Sequence, residues 1–581
     1  MIQTTGDNRV STHRPHLTGH PSSRPWRRAL GTLSLAGLCL PVLAFKIDAG
    51  SPDLTLSLDT TLRYNAAVRT KDQEPALMRK FGIGGGDSMV DKNDLALSRL
   101  DLYSEMDLAY KGNFGLRLSA SAWYDHNFPD RNPNVVTSSS YPNNEFNGYV
   151  KRYYQGPSGE MLDAFAWGNI PIGSTELNLK AGRLAWLPGE FLMSNGNGLS
   201  YGMAPSDGQK GDLSPGASAK ETAMPIAQLA ATWQLSPELT LLGQTTLEFR
   251  SSRISEGGTF FNAQGDTVLR GPTFVVPGTV PRSDAFEGEK GDIGLGLKWT
   301  PAWSDGAFSA WYRKFDDKNP SWPNQIYATA FISPAPGVTL PRGTARAVYA
   351  KDIELIGLAY NGVIASWSTG MELNHRRNMP LNTTGLYGSI PRATVNDPTL
   401  EGARGDTWHA LISGVRTINK NPLFDSGSVV LQLDYTRLEK ITKNANMFNG
   451  AASGVAGRCV DNEVLRGCST KDALSIGAVF TPTWQQVFPS MDISMPIVAL
   501  YGLKGVAAAQ NTSMVPEKSY LFKGGARLEW VVGAMKHQFD LAYTTRGGPT
   551  GVLPGQTALT HSGLANFRDR NYLSFTYQTA F

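Results

Sequence analysis

Charged side chains recur on alternate positions through the first third of the chain. Asp59 and Arg63 come first, then Arg99, Asp101, Glu105 and Asp107, then Arg117 and Asp125, with Asp163 further on. Alternate residues of an extended chain share a face, so these acids and bases would confront one another across neighbouring strands. Two kinds of chemistry are open to such a ladder. Facing charges of both signs set up a transverse field that orients polar solutes in a pore, or they pair locally and hold a wall together. The glycine-rich stretch 187–225 adds Glu190, Asn195, Asn197, Tyr201, Asp207 and Lys210. Arg183 is out of step: it shares parity with Leu177, Leu179 and Ala181, and a bulge at Gly182 is expected to re-aim it inward. The candidate lumen and constriction residues are therefore Arg63, Arg99, Asp101, Glu105, Arg117, Asp163, Arg183, Glu190, Asn195 and Asp207.

Catalytic chemistry has little to stand on. After residue 44 the histidines are His126, His375, His409, His537 and His561, and none lies in a nucleophile motif or in His-Glu-x-x-His. Asp87-Ser88 follows three glycines in a predicted loop and makes a poor nucleophile elbow. No catalytic residue, metal ligand or cofactor is assigned, and the expectation is that the chain is not an enzyme. Cys459 and Cys468 are the two cysteines beyond residue 44, and both fall in a predicted outer loop, 439–471. An oxidising exterior favours a disulfide between them, worth about 2–3 kcal/mol by loop entropy. A thiol metal site would lack neighbouring histidine.

The elements that carry these residues alternate for unusual lengths. Leu54, Leu56, Leu58, Thr60, Leu62, Tyr64, Ala66 and Val68 oppose Thr55, Ser57, Asp59, Thr61, Arg63, Asn65, Ala67 and Arg69. Strands in soluble sandwiches usually stop after about five or six residues, whereas a tilted membrane strand needs about ten. The same rule runs to the end, where Leu573, Phe575, Tyr577, Thr579 and Phe581 oppose Tyr572, Ser574, Thr576, Gln578 and Ala580. A last strand ending in Phe, here Tyr577 to Phe581, is the usual assembly signal of bacterial outer-membrane barrels. Counting alternating segments predicts an all-β, antiparallel barrel of about 18 strands. Asn361-Gly362 is read as one of its hairpin turns.

Connection lengths then alternate, with short turns near 111–113, 235–238, 301–305 and 533–536 and long ones near 126–160, 187–225, 251–291, 316–350 and 376–405. That is the asymmetry of periplasmic turns and extracellular loops. Aromatics beside the short turns, among them Tyr110, Phe114, Trp299, Tyr360, Trp530 and Phe539, would form the inner interfacial girdle.

At the N-terminus, Arg24, Arg27 and Arg28 precede an apolar stretch ending at Val42-Leu43-Ala44, which reads as a signal peptide over 1–44 with the barrel from 45 to 581. The five Arg and one Asp of residues 1–44 account for the formal charge of +4, so the remainder is near neutral and nucleic acid is excluded as a partner.

The runs Ser98-Arg99-Leu100-Asp101-Leu102-Tyr103-Ser104-Glu105, Ala122-Trp123-Tyr124-Asp125, Leu162-Asp163-Ala164-Phe165, Gly182-Arg183, Gly189-Glu190, Asn195-Gly196 and Ala204-Pro205 resemble those of a proteobacterial family, domain of unknown function 1302. The resemblance spans the chain beyond the signal peptide and implies an outer-membrane barrel of a Gram-negative bacterium. It also implies company: outer-membrane lipid and lipopolysaccharide, the barrel-assembly machinery, a second exported protein and an inner-membrane lipid-handling pump. That company tilts the expected cargo of a small-molecule channel towards hydrophobic compounds or lipids. A diffusion porin for polar solutes, an adhesive surface barrel and an outer-membrane hydrolase are the alternatives. Loop 187–225 is the expected constriction, because porin-like barrels often fold that loop inward.

Overall fold

An alternating segment in lipid must bury one face and pair both of its edges, and closing the sheet on itself does both. The computed structural model describes residues 45–47, 50–74, 77, 89–133, 141–262, 270–271, 273–276, 278–336, 338–383, 386–388, 390–450, 467–552, 559–561 and 563–581. The signal peptide expected over 1–44 lies outside them.

The wall is a closed antiparallel barrel of 18 strand positions, from Leu54–Arg69 to Tyr572–Ala580. First and last strands pair from Thr61↔Ala580 to Arg69↔Tyr572, which removes the free edges. Phe45–Ile47 pairs with Leu56–Leu58 on the same edge, in the stretch below the end of the last strand. One wall position is shared by Met491–Ser494 and Ile497–Lys504, which bond the same two neighbours on either side of Pro496. Proline has no N–H for the ladder, so the strand breaks there. Among the described residues no helix is long and apolar enough to cross a membrane; the strands do the crossing.

Alternation divides the faces as the sequence predicts. In Leu95–Tyr110, Leu100 and Leu102 are 45% and 40% exposed while Arg99 and Asp101 are 2% exposed. Exposed Leu295, Ile356, Leu358 and Leu373 continue the outward apolar band. A band of that extent belongs against hydrocarbon, which places the chain in the outer membrane. At the short-turn end the rings gather. Trp299, Trp303 and Phe308 lie 5.9–6.1 Å apart and Phe308 is 5.1 Å from Tyr360. Trp530 stacks on His537 at 5.2 Å, and His537 on Tyr577 at 6.2 Å.

Three local expectations change. Asn361-Gly362 is not the turn: pairing continues through Gly362↔Thr369 to Ile364↔Trp367, and the reversal falls at Ala365 and Ser366, with φ of 49° and 67°. Gly362 serves close approach instead, since a Cβ there would come 2.3 Å from the Tyr360 hydroxyl. The predicted outer loop 316–350 contains its own hairpin, Pro320–Ala335 with Val338–Tyr349. The strand predicted over 161–168 runs from Ser158 to Ile172.

The principal apolar cluster lies inside the barrel. Leu199, Tyr201 and Met203 from loop 187–225 pack there on Trp311, Phe315, Ile353 and Leu355 of the wall. A second cluster, including Phe128, Tyr141, Phe146, Tyr154, Phe260 and Phe261, joins the outer loops to Tyr572.

Leu358 is 61% exposed in the outward band, between Ala310 and Leu373 of its neighbours. Leu358→Arg is expected to destabilise the barrel by about 2–4 kcal/mol, and Leu423→Arg beside a short turn by about 0–1 kcal/mol. Urea unfolding from lipid vesicles measures both; equal costs would contradict the placement of the band.

Candidate functional site in the barrel lumen

The inward faces of the strands present side chains that can donate and accept, and loop 187–225 presents a glycine-rich backbone that needs partners. The two meet. Gln432, on Ser426–Lys443, accepts through Oε1 from the N–H groups of Leu192 and Met193 at 2.9 and 2.8 Å, and donates to the Ser194 carbonyl at 2.7 Å. Arg376, on Trp367–Pro380, donates to the carbonyls of Gly196 and Gly198 at 2.9 and 2.8 Å. Its guanidinium also lies 4.5 Å from the centre of the Tyr201 ring.

Asn374 donates to the Asn197 carbonyl at 2.8 Å, and Arg313 to those of Leu199 and Tyr201 at 2.8 and 2.6 Å. Glu372 accepts from the N–H groups of Glu190 and Leu199, and His409 is hydrogen-bonded to the Asn197 side chain. The loop is thus sewn to the wall through its backbone. Gly196 permits the approach, because a Cβ there would lie 2.8 Å from the Asn511 carbonyl. Gly202 takes φ +69°, a region that favours glycine.

The far half of the loop reaches the first strands. Asp207 caps the short helix Gly208–Leu213, accepting the Lys210 N–H at 2.9 Å, and its other oxygen meets Arg253 at 2.7 Å. Arg253 also pairs with Glu160 at 2.6 Å. Glu221, in Ala219–Thr222, takes a two-pronged grip from Arg63 at 2.8 and 3.1 Å. Burial alone would raise the Glu221 carboxyl, but the hydrogen bonds and charge of Arg63, with Lys210 behind, hold it below the ordinary range. Burial pulls the Lys210 ammonium down although Glu221 lies 3.7 Å away.

The predicted lumen residues therefore meet different fates. Arg63, Arg99, Asp101, Glu105, Arg117 and Asp163 all face inward and are paired. Arg99 donates to Asp101 at 2.9 Å; Arg117 contacts Glu105 and lies 3.9 Å from Asp163; Tyr103 donates to Glu105 at 2.7 Å. Asp207 is buried in the loop's own anchor, and Glu190 accepts from Asn361 at 2.6 Å. Asn195 contributes a turn, its carbonyl accepting from Gly198 at 2.9 Å.

Arg183 corrects the sequence reading. Pairing runs in step through Gly182↔Phe165 and Gly182↔Gln228, so no bulge re-aims the side chain. Arg183 keeps outward parity and is neutralised near the outer rim by Glu248 at 3.1 Å. Cys468 is buried and disulfide-bonded, while Cys459 lies outside the described residues.

Glu221, Gln432, Glu372, Arg376 and Arg313 were not among the predicted site residues. Parity marks the wall residues as inward: Glu372, Asn374 and Arg376 alternate with Met371, Leu373 and His375. Periodicity carries no signal for which inward residue meets a loop from the other side of the barrel.

The family pattern described as "Protein of unknown function (DUF1302)" matches residues 26–581. No curated protein matches the sequence. Among solved structures the chain is similar to OccK1 (OpdK) of Pseudomonas aeruginosa, with 9% identity, TM-score 0.37, and 90% of this chain and 98% of that one covered. It is also similar to a BenF-like porin of Pseudomonas fluorescens Pf-5, with 9% identity, TM-score 0.38, and 91% and 98% covered. A third is OccAB3 of Acinetobacter baumannii, with 11% identity, TM-score 0.39, and 90% and 99% covered.

Removing one member of a buried ion pair costs about 3–5 kcal/mol, because the other charge is stranded. Arg63→Met is accordingly expected to speed hydrogen exchange across 207–222 by orders of magnitude while the barrel survives, as judged by its gel mobility before and after heating. Unchanged exchange would mean that the apolar contacts alone hold the loop.

In the outer loop 251–291, burial pushes the Glu256 carboxyl up to about 7, against the opposing N–H groups of Gly271 and Arg270 and the charge of Arg282. A raised carboxyl contributes stability that is complete below its unfolded value and lost as pH rises through about 7. Exchange protection around Tyr154 and Gly271 should therefore fall between pH 4.5 and about 7, and Glu256→Gln should flatten that profile.

Proposed function

The chain belongs to the DUF1302 family, and on that premise we propose that it passes small molecules across the outer membrane through its lumen, with loop 187–225 as the gate. The observation that carries this reading is how the loop is held. Its carbonyls at Gly196, Asn197, Gly198, Leu199 and Tyr201 bond to Arg376, Asn374 and Arg313, side chains that rotamer changes can release without breaking the wall. A scaffold that only displayed surface loops would need no such lining. The reading assigns no catalytic step to the chain.

The finer proposal concerns cargo. A compound with substantial apolar surface is favoured by the cluster that Trp186, Leu187, Leu199 and Met203 make with Trp311, Ile353 and Leu355. Opening the loop would uncover that surface along one side of the lumen. A polar-solute channel is the second reading, supported by Arg117 among Glu105, Asp107 and Asp163 on the opposite part of the wall, where Arg117 is still 24% exposed.

Single-channel recording in planar bilayers tests the gate. The intact protein should be silent or give small steps, and Arg313→Ala with Arg376→Ala, or deletion of 187–225, should raise conductance several-fold. Unchanged conductance in properly inserted variants would sink the gate assignment. Uptake by vesicles of an alkane against a sugar of similar size then separates the two cargoes.

A further inference from the structure

A lumen wall is washed by water, so its inward side chains are expected to be polar. One row departs from that. Val415 of Arg404–Ile418 pairs with Val430 of Ser426–Lys443, Val430 with Val479 of Asp472–Phe488, and Val479 with Val498 of Ile497–Lys504. Four valines from four adjacent strands therefore stand side by side. Parity fixes their face. Ser413, Gln432 and Gly477 lie one inward position away, and all three meet loop 187–225, at Glu190, Leu192 and Met193. Leu431 and Tyr501, on the opposite parity, are exposed on the lipid side.

Each of the four valines is only half-buried, so the row keeps apolar surface open to the lumen. Strand preference does not account for it. Threonine is β-branched too and suits a wet face, and the next inward row towards the short turns is Thr417, Ser428 and Thr481. On the other side of the row Met193 covers Gly477, its Sδ 2.8 Å from where a Cβ would stand. The valines form an apolar strip between the loop and a row of hydroxyls. A contiguous open apolar surface of this kind marks a place that an apolar molecule covers.

The strip ends on a charge. Val498 pairs with Lys523 of the next strand, Tyr520–Val532. Lys523 is half-buried and has no ion pair or hydrogen bond among the described residues. Its ammonium retains accessible surface, unlike that of Lys210, which is shut in without a hydrogen bond. Asp540, on the neighbouring strand, is taken by Arg527 at 2.6 Å and by Gln538. Strands lie about 4.8 Å apart, so Val415 to Lys523 spans about 19 Å, the reach of a medium-length alkyl chain with its head group.

We propose that this strip is a lumen subsite for an aliphatic carboxylate, the chain along Val415, Val430, Val479 and Val498 and the carboxylate on Lys523. The inference rests on the reading of the lumen as a passage and names the class of cargo that pauses there. An unpaired ammonium at the end of an apolar strip holds an anionic head, whereas a neutral head gains little from it. The test is flow dialysis of radiolabelled decanoate and decanol against the full barrel in nanodiscs of zwitterionic lipid, with the binding of empty discs subtracted. Decanoate should bind saturably and about tenfold more tightly than decanol. Lys523→Gln should remove that difference and leave decanol unchanged. Val430→Thr with Val479→Thr, which keeps the branching, should weaken both ligands about tenfold. Absence of saturable decanoate binding, equal binding of acid and alcohol, or a Lys523→Gln barrel that still prefers the acid would overturn the proposal. So would unchanged binding in the double threonine variant. The strip lies on the short-turn side of the loop contacts and is reached without opening the gate. A barrel that binds decanoate but fails the conductance test loses the gate and keeps the subsite; one that passes it without binding loses only the subsite.

Discussion

Hydrocarbon offers a backbone N–H or C=O no partner, and everything else in this chain depends on that constraint. It forces the long strands to close, Arg69 on Tyr572 and Thr61 on Ala580, so that no edge is left in lipid. Closure with a two-residue alternation then sends every second side chain inward. Because the outward half must be apolar, the polar and charged residues of the strands are collected in the lumen. The interior is therefore a dense supply of donors and acceptors, the reverse of a soluble protein's core.

Loop 187–225 uses that supply. A glycine-rich segment loses much conformational freedom on ordering, and Leu199, Tyr201 and Met203 offset part of that cost by burial. Its backbone does so by taking wall side chains as partners. Arg376, Arg313, Asn374, Glu372 and Gln432 replace the ladder that a strand would have provided. At the other end the Arg63–Glu221 pair closes the stitch against the first strand.

The lumen is also divided in character. One side, around Trp311 and Leu355, is apolar against the loop, while the side around Arg117 and Glu105 carries paired charge.

Much of the fold was legible in the alternation itself. Leu100 and Leu102 against Arg99 and Asp101 announce a wall strand, and the tail through Tyr577 announces the last one. The misplacements have specific causes. Asn361-Gly362 has the composition of a turn, but both residues stay paired in the ladder, with Gly362 close under the Tyr360 ring, and the hairpin runs on to Ala365 and Ser366. Arg183 was expected to face inward because a lone cation on the lipid side is costly; Glu248, distant in sequence, removes that cost.

By itself, then, the sequence determined the architecture and the parity of strands such as Leu95–Tyr110, because these follow from periodicity and length; it misled in Ile353–Ile364, where Ile353 and Leu355 turn inward and Ile356 and Leu358 outward. Only the tertiary structure decided which inward residues grip loop 187–225 and that Glu221 completes the Arg63 site. Those contacts join positions far apart in the chain across a closed space, and no local pattern records the distance between two walls.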